Sequence, residues 1–349
     1  MKKLFNILLF LILIIAGTLT SACFEDANMI KNPVSERISP DPFITYDDEN
    51  KIYYSVYSTQ LEDGTYILKV SRAKKAKEVM DGESVEIFRA GGLIKNNVWA
   101  PEMHKGSDGK WYVYTSGFTS PSFNWDYERM FVLRALTDDP FDGFEFVKTF
   151  EEIPYAFDPT VFTHSDGKQY MCYTQVMYAF GQGKYEQRLF IREMVSPTEL
   201  GQEFAQISKA EMPFELANPN EKINEGPFFL PIEDKLFIIY SANGTGNENY
   251  CLCVLEYVGG DLVNENSWKK IDQPLLVKSE KLLGPGHASF FYSPDKTEIW
   301  CAFHAIIEMD ETKEYKDRFT CLNKVEIDEN GYPYIGKAKE TESKGPSGE

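Results

Sequence analysis

Residues 158–173 read Asp158-Pro-Thr-Val-Phe-Thr-His-Ser-Asp-Gly-Lys-Gln-Tyr-Met-Cys-Tyr173, so a polar residue opens an apolar run, a turn follows, and an aromatic-rich run completes the unit. This pattern occurs five times, and its polar openers are Asp41, Glu102, Asp158, Glu225 and His287. The openers are 61, 56, 67 and 62 residues apart. A repeat of this length, with short strands and turn signals in each unit, is typical of radially repeated sheets.

Each copy has the pattern of a β-hairpin followed by a further strand. Runs rich in β-branched and aromatic residues, such as Thr160-Val-Phe-Thr and Phe43-Ile-Thr-Tyr, lead into polar turns, and an aromatic run follows each turn. Five units of four strands predict an all-β fold, a five-bladed β-propeller over residues 39–336. A β-sandwich is the alternative, but it does not account for the regular return of the polar opener.

The five openers are predicted to share one place in the fold. Equivalent positions of a propeller surround a central axis, so four carboxylates and one imidazole would meet at the mouth of a channel. Gathering like charges costs desolvation free energy and does not stabilise a fold, so the pattern indicates a functional site. Taken singly, each opener has a simpler explanation, because Asp-Pro is a common turn start and an acid before Gly-Pro is an ordinary loop residue.

Both ends of the chain lie outside the repeat. Met1-Lys-Lys and the apolar residues 4–16 have the plan of a secretory signal, and Thr20-Ser-Ala-Cys23 resembles the cleavage box of bacterial lipoproteins. We expect residues 1–22 to be a signal peptide and Cys23 to carry lipid, which predicts export with membrane attachment only through that lipid. Ordinary cleavage that leaves a free Cys23 is the alternative. Residues 337–349 lack large apolar side chains and are predicted to be a disordered tail.

Composition narrows the class of partner. The formal net charge of −18 repels phosphate backbones, which argues against nucleic acid and is compatible with a neutral substrate such as a sugar. Five cysteines follow Cys23 at irregular spacing, which predicts buried thiols rather than a disulfide framework or a zinc site; they are Cys172, Cys251, Cys253, Cys301 and Cys321. Because no glycine-rich phosphate loop is present, we expect no redox or nucleotide cofactor.

Five motifs together resemble the signatures of glycoside hydrolase family 43. They are Asp41-Pro-Phe-Ile, Trp99-Ala-Pro-Glu, Phe157-Asp-Pro-Thr-Val-Phe, Asn224-Glu-Gly-Pro-Phe and Gly284-Pro-Gly-His. They occur in order and at blade spacing over about residues 39–336. The resemblance implies a five-bladed propeller that hydrolyses glycosides with inversion of the anomeric centre, as α-L-arabinofuranosidases, β-xylosidases and arabinanases do.

The resemblance gives roles to three carboxylates. Asp41 matches the general base, Glu225 matches the general acid, and Asp158 matches the carboxylate that tunes the acid and orients the sugar. Inversion needs the base and the acid on opposite sides of the sugar, roughly 6.5–9.5 Å apart, with room for a water. We therefore expect a raised pKa for Glu225, through repulsion by Asp158, and an ionised Asp41.

Further residues are assigned to the pocket. Trp99 is predicted to stack on a sugar face, with packing in the channel wall as the alternative, and Phe43 is predicted to contact the substrate. The resemblance implies a sugar-binding arginine on the last blade, where Arg318 stands, and an exposed surface arginine is the alternative. His287 is predicted to bind a central water or to help hold a structural calcium ion, as the resemblance suggests. A buried core histidine is its alternative, and His304 is a weaker candidate.

Three functions remain open on the sequence. The first is an exo-acting α-L-arabinofuranosidase on plant polysaccharide side chains, and the second is a β-xylosidase or endo-arabinanase on the same scaffold. The third is a non-catalytic, carbohydrate-binding propeller at the cell surface. Retention of all three carboxylates argues against the third, because a binding module needs no acid–base pair. The segments Phe118 to Glu128 and Tyr178 to Tyr185 combine aromatic with small or polar residues and are predicted to wall an enclosed exo site.

Overall fold

The computed structural model describes residues 28–179, 184–217, 221–307 and 317–349. The predicted signal peptide and Cys23 lie outside the described residues. The side chains of the predicted wall segment, Tyr178 to Tyr185, also lie outside the described part of the structure. Within the described ranges, no helix has the length and the apolar character needed to cross a membrane.

The fold is all-β, as the sequence predicts. A short strand, β1 (Ile30–Lys31), precedes five groups of strands that we call blades 1 to 5. Blade 1 contains β2 (Phe43–Asp47), β3 (Ile52–Gln60), β4 (Tyr66–Ala73) and β5 (Glu83–Arg89). Blade 2 contains β6 (Asn96–Lys105), β7 (Trp111–Phe118), β8 (Glu128–Ala135) and β9 (Phe144–Thr149). Blade 3 contains β10 (Ala156–Thr163), β11 (Gln169–Ala179), β12 (Lys184–Ser196) and β13 (Glu199–Ser208).

Two further blades complete the series. Blade 4 contains β14 (Lys222–Ile232), β15 (Lys235–Ala242), β16 (Cys251–Tyr257) and β17 (Trp268–Lys270), and it is followed by β18 (Leu276–Val277). Blade 5 contains β19 (Leu283–Tyr292), β20 (Ile299–Ile306), β21 (Phe319–Ile327) and β22 (Pro333–Tyr334). The chain ends with β23 (Gly336–Lys337) and β24 (Thr341–Glu342). Short 3-10 helices lie in the connections at Ala76–Asp81, Trp125–Tyr127, Pro140–Asp142, Pro213–Leu216 and Glu265–Ser267.

Each blade is an antiparallel sheet whose strands pair in chain order. In blade 1, for example, β2 pairs with β3, β3 with β4, and β4 with β5. The first strands of neighbouring blades lie against one another, and β19 of blade 5 returns to contact β2 of blade 1. The five first strands therefore form a closed ring, the arrangement of a propeller and the number of units that the five openers predict.

Apolar side chains fill the space between the blades. Phe228 of β14 has its ring centroid 6.4 Å from that of Phe43 on β2 and 5.6 Å from that of Phe290 on β19, so three first strands share one aromatic layer. Burying such a side chain contributes about 1.5–3 kcal/mol. The five cysteines that the structure describes are free and buried, which confirms the sequence prediction for them.

A left-handed residue recurs near the opener of every blade. Its φ angle is positive at Asp41 (53°), Ala100 (43°), Asp158 (52°), Gly226 (56°) and His287 (46°). Register shifts follow in the hairpins of blades 2 to 5, so the chain bulges there and redirects its side chains. The equivalent positions are therefore not all the predicted openers, because Glu225 precedes the left-handed residue by one place and Glu102 follows it by two.

The C-terminal segment is ordered, so the prediction of a disordered tail for residues 337–349 is wrong. β23 runs parallel to β18, and β24 pairs with β1, where Ile30 faces Glu342. Ala338 is buried, and the carboxylate of Glu349 accepts a hydrogen bond from the backbone of Ala76 at 2.9 Å. Backbone pairing holds the segment in place, and a composition poor in large apolar residues does not reveal it.

Candidate active site

A cavity of about 350 Å³ lies near the beginnings of the first strands. The positive-φ residues, the β7–β8 loop of blade 2 and the β15–β16 loop of blade 4 bring its lining together. The lining comprises Asp41, Trp99, Phe123, Trp125, Phe157, Asp158, Gln187, Glu221, Ile223, Glu225, Gly244, Thr245, Gly246, His287 and Arg318. Four carboxyl groups, of Asp41, Asp158, Glu221 and Glu225, and two basic side chains thus meet in one small space, where residues with positive φ are concentrated as well.

Asp41 is surrounded by basic side chains of blade 5. Its Oδ1 lies 3.2 Å from a guanidinium nitrogen of Arg318, 3.2 Å from Nδ1 of His304 and 3.4 Å from Nδ1 of His287. Burial alone raises the pKa of Asp41, but His287, Arg318 and the hydrogen bond with His304 outweigh it. They hold the pKa well below its ordinary value, so Asp41 is ionised at neutral pH.

The two histidines beside Asp41 are themselves neutral at neutral pH. Burial lowers the pKa of His304 to about 3, and burial also lowers the pKa of His287. Nδ1 of His304 lies 3.2 Å from the backbone nitrogen of Asp41 as well as from its carboxylate, and the backbone N–H of His287 donates to the hydroxyl of Ser241 at 2.8 Å. The permanent positive charge at Asp41 is therefore that of Arg318.

Glu225 stands at the start of β14 and is held by a tyrosine. Its Oε1 accepts a hydrogen bond from the hydroxyl of Tyr250 at 2.8 Å, and the Tyr250 ring stacks on His304 with centroids 5.5 Å apart. Only glycine fits at Gly286, because a Cβ there would come within 2.2 Å of the Tyr250 ring. Tyr250 thus connects the environment of Glu225 to that of Asp41.

Burial and nearby charge keep Glu225 protonated to higher pH than a free glutamate. Burial is the largest cause, the Tyr250 hydrogen bond opposes it, and the negative charge of Asp41 adds to it, so that the pKa is raised to about 7. The sequence led us to expect repulsion by Asp158 as the cause. Desolvation is the stronger effect because the carboxyl is almost fully buried.

Asp158 is buried beside Glu225. Its Oδ2 accepts the backbone N–H of Gly226 at 3.1 Å and lies 3.5 Å from the hydroxyl of Thr174. Burial is the largest cause that raises the pKa of Asp158, and the negative charges of Glu225 and Asp41 raise it further. The pKa therefore lies well above its ordinary value. Two carboxyls placed in this way do not both ionise easily, so the pair retains a proton near neutral pH.

Aromatic rings form another part of the wall. Trp125 stacks on Phe157 with centroids 5.2 Å apart, and Trp99 meets Trp125 edge-on at 6.2 Å. Phe123 is largely exposed and contacts both tryptophans. Exposed faces of this kind are suited to the apolar faces of a sugar ring. The described part of the predicted wall, Phe118 to Glu128, thus supplies two lining residues.

The sequence that builds this cavity matches a known family. The sequence profile of glycosyl hydrolases family 43 matches residues 30–333. The chain belongs to this family. Family 43 membership makes it a glycoside hydrolase, and the recurring motifs of the sequence are those that line the cavity.

Relatives within family 43 share much of the chain. An extracellular exo-alpha-(1->5)-L-arabinofuranosidase of Streptomyces chartreusis is 31% identical over 288 residues, which are 79% of this chain and 82% of the relative. A protein of the same description from Streptomyces avermitilis is 30% identical over 322 residues, 87% of this chain. The match spans 63% of that second protein, which is less than two thirds of its length.

A solved structure has the same fold. The crystal structure of an alpha-L-arabinofuranosidase from Lactobacillus brevis superposes with a TM-score of 0.77 at 25% identity, covering 89% of this chain and 97% of the other. A thermostable family-43 glycoside hydrolase superposes with a TM-score of 0.76 at 20% identity, which bears on the fold alone.

The structure brings most of the predicted site residues together. Asp41, Asp158 and Glu225 line the family 43 cavity, and so do the predicted binding residues Trp99, His287 and Arg318. Phe43 does not, which corrects the sequence prediction. It is only 3% exposed and packs edge-on against His104 with centroids 5.3 Å apart, because the chain turns at Asp41 and directs Phe43 into the core.

Glu102 is also absent from the cavity lining. Its carboxylate lies 2.7 Å from Nε2 of His104, in a pair that is mostly buried. Three of the four carboxylates that were expected to meet therefore do so, and the prediction for Glu102 is wrong. The physical reason is the register of the bulge, which gives the equivalent position in blade 2 to Ala100 and leaves Glu102 two residues further along β6.

Sequence reasoning missed several residues of the site. Tyr250, which binds Glu225, and the lining residues Gln187, Glu221 and Thr245 received no role. Gln187, Thr245 and Tyr250 come from later strands or loops of blades 3 and 4, whereas Glu221 directly precedes β14. The one local signal is the alternation of Glu221, Ile223 and Glu225, of which the last two lie on β14 and point to one face.

Calcium at His287 finds little support in the neighbouring side chains. In the portion of the chain that the structure covers, no group of three or more His, Cys, Asp and Glu residues is arranged to hold a metal ion. Calcium takes six to eight oxygen ligands, whereas the carboxylate of Asp41 is the acid in contact with His287. The described side chains do not fit a calcium site by themselves, and no catalytic step is assigned to such an ion.

Replacing Arg318 by Gln is expected to move the acid limb of the kcat/KM–pH profile to higher pH, by about one to three units. Loss of the cation 3.2 Å from Asp41 raises the pKa of that carboxyl, so it ionises only at higher pH. The measurement is a pH series with the wild type and with Arg72→Gln, which breaks an ion pair with Glu83 on blade 1. An acid limb that stays in place would contradict the role of Arg318.

Replacing Asp158 by Asn is expected to move the alkaline limb to lower pH. Glu225 raises the pKa of Asp158, and such coupling is mutual, so removing the charge of Asp158 makes Glu225 easier to ionise. The wild-type limb is expected near pH 7, where the pKa of Glu225 lies. An alkaline limb that is unchanged in Asp158→Asn would remove the tuning role while leaving the acid assignment intact.

Proposed function

We propose that this family 43 chain is an inverting, exo-acting α-L-arabinofuranosidase that acts on arabinose-containing plant oligosaccharides or polysaccharides. The observation that carries the proposal is the pair of carboxyls with opposite pKa shifts in one cavity. The pKa of Asp41 lies well below its ordinary value and that of Glu225 is raised to about 7. Divergent shifts of this kind separate a base from an acid.

In the proposed reaction, Asp41 takes a proton from water as the water attacks the anomeric carbon. Glu225 gives its proton to the glycosidic oxygen as the bond to the leaving group breaks. Arg318 keeps Asp41 ionised and Tyr250 orients the carboxyl of Glu225. When the proton of the pair is on Glu225, Asp158 carries the negative charge, and the backbone of Gly226 fixes it near the positive charge that develops on the sugar.

Two observations support arabinofuranose and exo action. The extracellular relatives from both Streptomyces species are described as exo-alpha-(1->5)-L-arabinofuranosidases. The cavity of about 350 Å³ is at the small end of the range for small-molecule pockets, which favours a chain end over a long polysaccharide segment. A β-xylosidase or an endo-arabinanase on the same scaffold remains the alternative, and a non-catalytic binding propeller is the third.

Hydrolysis of two aryl glycosides by the purified protein separates these functions. We expect release of p-nitrophenol from the α-L-arabinofuranoside and much slower release from the β-D-xylopyranoside. Preference for the xyloside would favour a β-xylosidase, and cleavage of linear arabinan into mixed oligosaccharides without aryl hydrolysis would favour an endo-arabinanase. Sugar binding with no hydrolysis of any substrate would leave only the binding propeller.

Export and attachment to the membrane are part of the proposal. Residues 1–22 have the pattern of a signal peptide that ends before Cys23, and the two Streptomyces relatives are described as extracellular. Lipid on Cys23 would hold the enzyme at a membrane surface, where polysaccharide fragments arrive from outside. We propose no redox or nucleotide cofactor, since acid–base catalysis by Asp41 and Glu225 accounts for the chemistry.

A further inference from the structure

The strand that carries the acid loses its regular pairing beside Glu225. On one edge, the pairing of β14 with β12 ends at Ile223. On the other edge, the register with β15 is interrupted between Glu225 and Phe228. Backbone ladders therefore constrain this stretch less than the rest of the strand, and side-chain contacts gain importance for its position. On the C-terminal side of the acid, Asp158 provides such a contact by accepting the N–H of Gly226.

A buried polar cluster holds the residue that precedes the acid. Asn224 is fully buried, and side chains alternate along a strand, so its amide points away from the side that Glu225 faces. Its Oδ1 accepts the hydroxyl of Ser208 at 2.6 Å, and its Nδ2 donates to Oε1 of Glu215 at 3.1 Å. Nζ of Lys270 lies 3.4 Å from the same Oδ1. We call the set the Asn224 cluster, and its members are Ser208, Glu215, Asn224, Tyr240 and Lys270.

Glu215 and Lys270 form the charged centre of the Asn224 cluster. Nζ of Lys270 lies 2.7 Å from the carboxylate of Glu215, which is fully buried. The same carboxylate accepts the hydroxyl of Tyr240 at 2.7 Å and the backbone N–H groups of Glu211 and Met212 at 2.9 and 2.7 Å. Burial raises the pKa of Glu215, but the charge of Lys270 and these N–H groups outweigh burial and hold the pKa below its ordinary value. Glu215 is therefore ionised at neutral pH.

Stability alone does not explain a buried ion pair at this place. Removing two charges from water costs free energy that their attraction only partly returns, and apolar residues of similar volume often stabilise a fold as well or better. A polar network whose members are all paired does, however, fix one geometry. The members come from β13, the 3-10 helix Pro213–Leu216, β14, β15 and β17, so the cluster joins blade 3 to blade 4 at the residue before the acid.

We propose that the Asn224 cluster positions the catalytic acid, because it fixes the backbone before Glu225 and so directs the carboxyl at the glycosidic oxygen. The inference rests on the proposed function, since it takes Glu225 as the acid. None of the five members lines the cavity, so they are positioning residues and act through Glu225. Proton transfer needs heavy atoms about 3 Å apart, and a displacement of about 1 Å can lower a rate about a hundredfold.

The test compares two substrates that differ in their need for the acid. α-1,5-linked arabinotriose releases a sugar, whose oxygen needs a proton, whereas p-nitrophenyl α-L-arabinofuranoside releases p-nitrophenolate, which departs without one. Asn224→Leu keeps the approximate volume of the side chain and removes its hydrogen bonds. Ser208→Ala is the milder variant, because it removes the 2.6 Å hydrogen bond to Oδ1 of Asn224 and leaves the ion pair of Glu215 and Lys270 in place.

The matched controls are buried polar residues of other blades. Nδ2 of Asn323 on β21 donates to the carbonyl of the preceding residue at 2.8 Å, as that of Asn224 does at 2.9 Å, and to the carbonyl of Lys339 at 3.1 Å. The hydroxyl of Ser71 on β4 donates to the carbonyl of Val79 at 2.6 Å. Asn323→Leu and Ser71→Ala are expected to change the thermal stability and to treat both substrates alike.

We expect the ratio of kcat for arabinotriose to kcat for the aryl glycoside to fall about tenfold or more in Asn224→Leu and about threefold in Ser208→Ala. KM is expected to stay close to that of the wild type for both substrates, because neither residue lines the cavity. Partial unfolding lowers both activities by one factor and leaves the ratio unchanged, so the ratio separates positioning from stability.

Equal losses on both substrates, or an unchanged ratio, would overturn the positioning role. An equal fall of the ratio in Asn323→Leu and Ser71→Ala would overturn it as well, since the effect would then belong to any buried polar residue. If Asn224→Leu does not fold, the ratio measured for Ser208→Ala decides. Wild-type protein that cleaves neither substrate would overturn the proposed function instead, so the two failures are distinguishable.

Discussion

Asp41→Asn is expected to lower kcat by about a hundredfold or more, because the amide cannot take a proton from the attacking water. Asparagine has nearly the same shape, so the folded structure and the affinity for the sugar are expected to persist. The environment explains the size of the effect. Nitrogen atoms of Arg318, His304 and His287 lie 3.2–3.4 Å from Oδ1 of Asp41. Among the described residues, no other carboxylate takes this position.

The measurement is steady-state hydrolysis of the aryl arabinofuranoside, with thermal unfolding as a check on the fold. Asp47→Asn serves as the matched control, because Asp47 is a buried aspartate of the same blade that caps a turn by accepting the N–H of Glu49 at 3.0 Å. It is expected to change stability and to leave kcat close to that of the wild type. Near-wild-type turnover by Asp41→Asn would refute its role as the base.

Glu225→Gln is expected to lower kcat on arabinotriose by about a hundredfold or more and to affect the aryl glycoside much less. A sugar alkoxide is a poor leaving group and needs the proton that Glu225 supplies. p-Nitrophenolate departs without a proton, so the acid contributes less to its release. Loss of the acid also removes the alkaline limb that is expected near pH 7, where the pKa of Glu225 lies.

The control for this variant lies on the same blade. Glu256 is mostly buried on β16, accepts a hydrogen bond from Tyr332 at 2.9 Å and lies outside the cavity lining. Glu256→Gln is expected to retain both activities and the wild-type pH profile. If Glu225→Gln lost equal factors on arabinotriose and on the aryl glycoside, the proton donor would have to be another residue.

The sequence predicted the blades because each strand carries its own signal. Alternating aromatic and β-branched residues followed by turns such as Ser165-Asp-Gly identify a hairpin locally, and β10 and β11 form that hairpin. The disordered tail was a wrong prediction for a complementary reason. β23 and β24 are held by backbone pairing with β18 and β1, and such pairing leaves no trace in the composition of a short segment.

The site was only partly predictable. Asp41, Asp158 and Glu225 were found because each opens a copy of the repeated pattern, and the structure places each of them at or next to a left-handed residue. Phe43 was assigned to the pocket wrongly, because the chain turns at the left-handed residue Asp41. Glu102 was expected at the channel mouth wrongly, because of the bulge in blade 2, and neither feature can be read from spacing alone. Tyr250 and His304 meet through a stack of two rings from different blades, and only the closed ring brings them together.

The anomeric configuration of the first-formed sugar tests the central claim most directly. If Asp41 and Glu225 act as base and acid on opposite sides of the bond, hydrolysis of an α-arabinofuranoside yields β-arabinofuranose first. Proton NMR of the earliest products, recorded before mutarotation, is expected to show the β anomer. The α anomer as the first product would mean a covalent nucleophile, with carboxyls roughly 5–5.5 Å apart, and would contradict the assignment of Asp41 as the base and Glu225 as the acid.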